Sequence, residues 1–181
     1  MGATVNTAFI DHFSNDWFLL SDFTDLFVGA HIGQGTSRSV YEYRLNPKWI
    51  IKIDRSGQFC NVSEWDIWHN YKHIPEYAKF LAPCIHLSSC GRVMIQERTK
   101  PVKNIKDLPK EIPNFFSDFK IQNWGMIGKR FVCHDYANHR LFAPDKVLMF
   151  EPEWWSDTWQ QIHEPKEELK LVTIDNFSIK P

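Results

Sequence analysis

The residues best suited to chemistry gather between Ser117 and Ala137, SDFKIQNWGMIGKRFVCHDYA. Asp118, Lys120 and Asn123 stand close together, and Asp135 follows beyond an apolar stretch punctuated by Gly125 and Gly128. Each type has a task at a phosphate. A carboxylate accepts or aligns the proton of an attacking hydroxyl. A lysine offsets negative charge on a transferred phosphoryl group. The amide oxygen of Asn123 and the carboxylate of Asp135 are hard ligands suited to magnesium. The same residues also suit plainer work, because Asp and Asn are common in surface turns and Asp often caps a helix.

Upstream, four further positions bear on the same chemistry. Gly33 and Gly35, in IGQGTSRSV, permit backbone N–H groups to approach a phosphate closely, although turn glycines of a hairpin account for them as well. Lys52 lies in WIIKI, flanked by apolar residues on both sides. A lysine in such a run either snorkels from an edge strand or has a charged partner. Glu64, on the next expected helix, is the natural partner.

These residues need elements to position them. VGAHIGQ, then Val40–Leu45 with its alternation, then WIIKI after the turn Asn46-Pro47-Lys48 predict an antiparallel meander of three strands. A helix follows, with Asn61 or Ser63 as its expected N-cap, Glu64 in its first turn, and Trp65, Trp68 and Tyr71 as its apolar stripe. AKFLAPCIHLSSCGRVMIQER predicts two more strands around Ser88–Gly91. Residues 99–116 carry three prolines and several lysines and read as a connector. WGMIG and KRFVCHDY then form a hairpin. Val147–Phe150 is an expected strand, and a short helix is expected around Ser156–His163. Before Val28, the pairs Phe9/Phe13 and Phe23/Phe27 suit one or two short packing helices.

Composition sets the outer bounds. The 181 residues, 43% hydrophobic and 24% charged, suit one domain or two small lobes sharing a cleft. With 14 Phe and 8 Trp, a short chain can still close a substantial core. A net charge of -1 argues against a general nucleic-acid binder. Cys60, Cys84, Cys90 and Cys133 lack the paired spacing of a zinc site or a disulfide framework, which fits a reducing compartment. The first residues lack a signal peptide's basic and apolar regions, and no apolar run is long enough to span a bilayer. The expected location is therefore the cytoplasm, with no membrane partner. His69 and His73, one helical turn apart, lack a third ligand nearby and read as surface or packing residues, and His134 reads as packing.

Taken in order, Gly33, Gly35 and Val40, strand Lys52, helix Glu64, Asp118-x-Lys120-x-x-Asn123 and Asp135-Tyr136-Ala137 resemble the protein-kinase-like fold. The likeness covers about residues 28–137 and is greatest with the compact kinase-like proteins of bacteria and bacteriophages, whose catalytic loop often runs into a hairpin such as Asn123-Trp124-Gly125. The resemblance implies an α+β fold with an antiparallel-sheet N-lobe, one main helix and a strongly reduced C-lobe. Its expected division is a helical extension over 1–27, an N-lobe over 28–98 and a minimal C-lobe over 99–181. It implies ATP and Mg2+ as cofactors. Gly33, Gly35 and Val40 would cover the nucleotide, while Lys52 would hold its phosphates and pair with Glu64. Asp118 would be the catalytic base, Lys120 the lysine at the transferred phosphoryl group, and Asn123 and Asp135 the metal ligands. The strand Val93–Glu97 would lead to the adenine-binding hinge. Arg38 stands where the family has a third loop glycine, and residues 98–117 alone separate hinge from catalytic loop. The implied function is a minimal ATP-dependent phosphotransferase. The alternative is an inactive kinase-like binding protein that docks on a host or defence protein, as a phage product would.

Overall fold

The computed structural model describes residues 24–138 and 148–156. The N-terminal packing helices and the helix after Ser156 therefore lie almost entirely outside the described residues. The described fold is α+β, built on antiparallel sheets with few helices. Strands β1 (Val28–Gln34), β2 (Arg38–Tyr43) and β3 (Trp49–Asp54) form the expected meander. Helix α1 (Cys60–Tyr71) and the single turn α2 (Pro75–Ala78) lead to β4 (Cys84–Leu87) and β5 (Val93–Glu97), and the five strands make one sheet in the order β1-β2-β3-β5-β4.

The register of this sheet decides which side chains meet. Arg38 lies opposite Asp54, and Val40 lies opposite Lys52. Side chains alternate along a strand, so Arg38 and Val40 share a face with Lys52 and Asp54. Helix α1 packs across this face, with Glu64 and Ile67 fully buried.

The start of α1 differs from expectation. Its N-cap is Phe59 in the left-handed region at φ 56°, with no side-chain cap of its own, and Glu64 lies beyond the first turn. The carboxylate of Asp54 instead accepts the Cys60 N–H at 2.8 Å, across from the sheet. Asn61 is inside the helix and donates to the carbonyls of Lys52 (3.1 Å) and Arg92 (2.8 Å), which fastens α1 to β3 and to the β4–β5 turn. The helix buries Cys60, Asn61, Glu64, Ile67 and Tyr71, while Trp65 and Trp68 are only partly covered. Polar groups of the sheet thus fasten this helix alongside its apolar residues.

Beyond β5 the connector has only short elements: β6 (Lys100–Pro101), a 3-10 turn at Ile105–Asp107, and β7 (Ile112–Pro113). A second 3-10 turn, Ile121–Asn123, opens the expected hairpin of β8 (Trp124–Ile127) and β9 (Arg130–Cys133). Gly128, at φ 61°, makes its turn. β6 pairs with β8, and β10 (Met149–Phe150), the described part of the strand expected from Val147, pairs with β7. Pairing of β6 and β8 brings the chains so close that a Cβ on Gly125 would fall 2.5 Å from Thr99.

An aromatic cluster joins these parts. Tyr71 and Tyr77 meet Phe115, which leans on Phe116 at 4.1 Å between centroids, and Phe116 meets Trp124 at 4.8 Å. Trp154 closes the edge of Trp124 at 5.1 Å. Such rings bury much area with few rotatable bonds, which lets a short chain hold a sheet and a hairpin together. No described helix is long and apolar enough to cross a membrane.

Candidate functional site

A cleft of about 1230 Å³ lies between the five-stranded sheet and the β8–β9 hairpin. Gly33, Gly35, Val40, Ile50 and Lys52 line it from the sheet, and Lys120, Asn123, Trp124 and His134 line it from the hairpin side. The connector adds Thr99, Lys103 and Lys106.

Gly33 and Gly35 have neither a positive φ nor a neighbour that a side chain would strike. Nothing lies within 4 Å of a Cβ built on Gly33, and only the Arg38 carbonyl, at 3.9 Å, approaches one on Gly35. Hairpin geometry and internal packing therefore do not account for glycine here. Open backbone facing a cleft is what close approach of a ligand requires.

Behind the cleft is a buried charge cluster. Lys52 Nζ donates to Glu64 Oε2 at 2.9 Å and to the carbonyl of His134. Arg38 Nη2 donates to Glu64 Oε1 at 2.7 Å and also bonds Asp135 Oδ1. The Tyr136 N–H donates to Glu64 Oε1 at 3.0 Å. Burial alone would push the Glu64 carboxyl up, but Arg38 and Lys52 outweigh it and hold it at about 2. Burial opposes the charge on Arg38, and Glu64 with Asp135 more than restores it, raising its pKa above the ordinary value. Asp135 is raised by burial and by the neighbouring Glu64 charge, against the pull of Arg38 and Lys52, although half its side chain reaches solvent.

His134 is pushed down to about 4, first by burial and then by the Lys52 charge. It is thus neutral at physiological pH, with Nδ1 2.9 Å from Thr99 Oγ1. It was expected to point away into packing. The His134 N–H still donates to the Asn123 carbonyl at 2.8 Å, and His134 and Asp135 do take different sides, but the side that His134 takes is the cleft.

The expected site residues divide into two groups. Gly33, Gly35, Val40, Lys52, Lys120 and Asn123 come together on the cleft, and Glu64 stands directly behind Lys52. The carboxylates of Asp118 and Asp135, expected to face the cleft beside Lys52, are not among its lining residues. Asp118 is turned back on its own loop, accepting the Lys120 N–H at 3.2 Å, and Asp135 is held by Arg38. Among the described residues no three His, Cys, Asp or Glu side chains gather where a metal ion would sit. Of the two expected magnesium ligands, Asn123 lines the cleft and Asp135 does not.

Arg38, His134 and the connector lysines were not legible as site residues. Arg38 registered only as a missing glycine, although the β2 alternation that places Val40 on the cleft places Arg38 on the same face. Lys120 lies over the Trp155 ring at 5.4 Å, an arrangement that depends on a residue far along the chain. Neither a known family model nor a curated protein matches this sequence.

Proposed function

We propose that this chain is a kinase-like nucleotide-binding protein, with the triphosphate of an ATP-like ligand in the cleft between the five-stranded sheet and the β8–β9 hairpin. The observation that carries the reading is the Lys52–Glu64 pair at 2.9 Å, set at the wall of a cleft bordered by Gly33 and Gly35. A buried lysine held by a buried glutamate is a fixed cation, pre-oriented for phosphate oxygens. Val40 and Ile50 supply an apolar wall for a base, and the β5–β6 segment at Thr99 offers backbone groups at the cleft edge. The order of elements is the one the kinase-like resemblance implies: meander with lysine, helix with glutamate, two strands, then a hairpin carrying the second acid.

Binding fits the geometry better than turnover, because Asp118 does not reach the cleft. Phosphotransfer is the second reading, favoured by one observation. Lys120 and Asn123, on the loop that begins at Asp118, both line the cleft.

The test is thermal melting with ATP, using wild type and Lys52→Met. A specific ligand at a hundred times its Kd stabilises by about 2.7 kcal/mol, which raises the wild-type midpoint by several degrees. The variant should show no rise. No shift for wild type, with or without magnesium, would sink the nucleotide reading. ADP appearing above the background of Asp118→Asn would promote the phosphotransferase reading.

A further inference from the structure

The cleft is cationic to a degree that the chain as a whole is not. Lys52, Arg98, Lys103, Lys106 and Lys120 line it, and among the described residues no Asp or Glu does, although the protein's net charge is -1. Some of this charge is already balanced. Lys52 is paired with Glu64, and Arg98 meets Glu42 at 3.0 Å. Among the described residues no acid forms an ion pair with Lys103 or Lys106, and Lys120 rests on Trp155. Asp135, next to the cleft-lining His134, bonds a buried guanidinium through Oδ1 while half its side chain stays in solvent.

A magnesium ion needs oxygen donors that converge, usually with one or two carboxylates, and it also neutralises phosphate charge. Here only Asn123 of the two expected ligands lines the cleft, and cationic side chains line it beside that residue. Arg38 is only 6% exposed and is not on the cleft wall. Its role is that of a counter-ion. It offsets the charge of Asp135, which adjoins the cleft-lining His134, and Glu64 holds it in place.

Resting on the nucleotide reading above, we propose that Arg38 takes the part of the divalent cation at Asp135, so that the cleft holds a triphosphate in its metal-free form. Arg38 and a metal ion are then competing partners of one carboxylate.

The experiment titrates a fluorescent methylanthraniloyl-ATP into the full chain, in EDTA and in magnesium buffer. Wild type should bind in both, with Kd values within about twofold of each other. A loss of tenfold or more in EDTA, equivalent to about 1.4 kcal/mol, would overturn the proposal while leaving nucleotide binding intact. Absence of binding in both buffers would overturn both readings together. In Arg38→Gln, Asp135 is freed, so binding in EDTA should fall by about tenfold and magnesium should restore it. Should that variant fail to fold, Arg38→Lys keeps the charge and should retain binding in EDTA. Manganese binding followed by electron paramagnetic resonance gives a readout independent of nucleotide. Wild type should leave the ion's free signal unchanged, and a bound-ion spectrum on the wild-type chain would count against Arg38 in this role.

Discussion

The backbone N–H of Tyr136 lies 3.0 Å from Oε1 of Glu64, so the end of the hairpin is tied to the helix that packs on the sheet. The same oxygen accepts from Arg38, and the other carboxylate oxygen accepts from Lys52. One buried carboxylate thus serves β2, β3 and the segment after β9. Glu64→Gln leaves two buried cations short of a counter-charge, and removing one partner of a buried pair costs about 3–5 kcal/mol. Urea unfolding should show that loss in the midpoint. A loss below about 1 kcal/mol would mean that the cluster is solvated in solution.

Acid should unfold the protein in two stages. His134 is depressed to about 4 from an ordinary 6.5 and is neutral in the fold. Below its ordinary value the unfolded chain takes up a proton that the folded chain refuses, so stability falls as pH drops from about 6.5 to 4. Glu64, depressed from 4.5 to about 2, contributes fully above 4.5 and loses its contribution as pH falls toward 2. Each spans roughly 3 kcal/mol at 1.36 kcal/mol per pKa unit. In His134→Gln the slope between pH 6.5 and 4 should flatten while the lower stage remains. An unchanged upper slope in urea titrations across pH would assign that stage to another group.

Two glycines should respond oppositely to alanine. At Gly125 a Cβ would meet Thr99 at 2.5 Å and the Lys100 carbonyl at 2.9 Å, so Gly125→Ala should cost about 1–3 kcal/mol through overpacking. At Gly33 nothing lies within 4 Å, so Gly33→Ala should leave the melting midpoint nearly unchanged while weakening nucleotide binding. A Gly33 variant with full affinity would show that the ligand does not approach that backbone.

Tyr136→Phe removes a hydroxyl that donates to the Ala82 carbonyl at 2.8 Å and lies 3.1 Å from Cys84 Sγ. It should cost about 1 kcal/mol or more, since the buried carbonyl loses its partner. Burial, with Glu64 nearby, pushes the Cys84 thiol up to about 12, so it should resist alkylation in the native wild type at neutral pH. Rapid native alkylation at Cys84, read by mass spectrometry, would contradict the packing described.

The elements were largely legible because their signals are local. The alternation of β2, the turn at Asn46-Pro47 and the glycine-marked hairpin each specify structure within a few residues. The Lys52–Glu64 pair was legible for a chemical reason: a lysine in an apolar strand calls for a nearby acid, and the next helix offered one. Arg38 was not, because its partners lie 26 and 97 residues away and only the sheet register brings them together. The helix cap was missed because Asp54, six residues before Cys60, reaches across from the end of a strand. The orientation of Asp118 depends on the fold of its own loop, which residue spacing does not specify.

The charge cluster also has a consequence for the order in which the chain is made. By the time Glu97 has emerged, all five strands of the sheet and α1 are present, carrying Arg38 and Lys52 against Glu64, with Asp54 opposite Arg38. The fourth charge, Asp135, and the Tyr136 amide arrive only with the end of the hairpin. A nascent chain therefore holds its buried cations with one acid and one backbone donor of the cluster still missing, which favours an open, hydrated sheet until the hairpin docks. Synthesis of the last strand of that hairpin becomes the event that closes the protein.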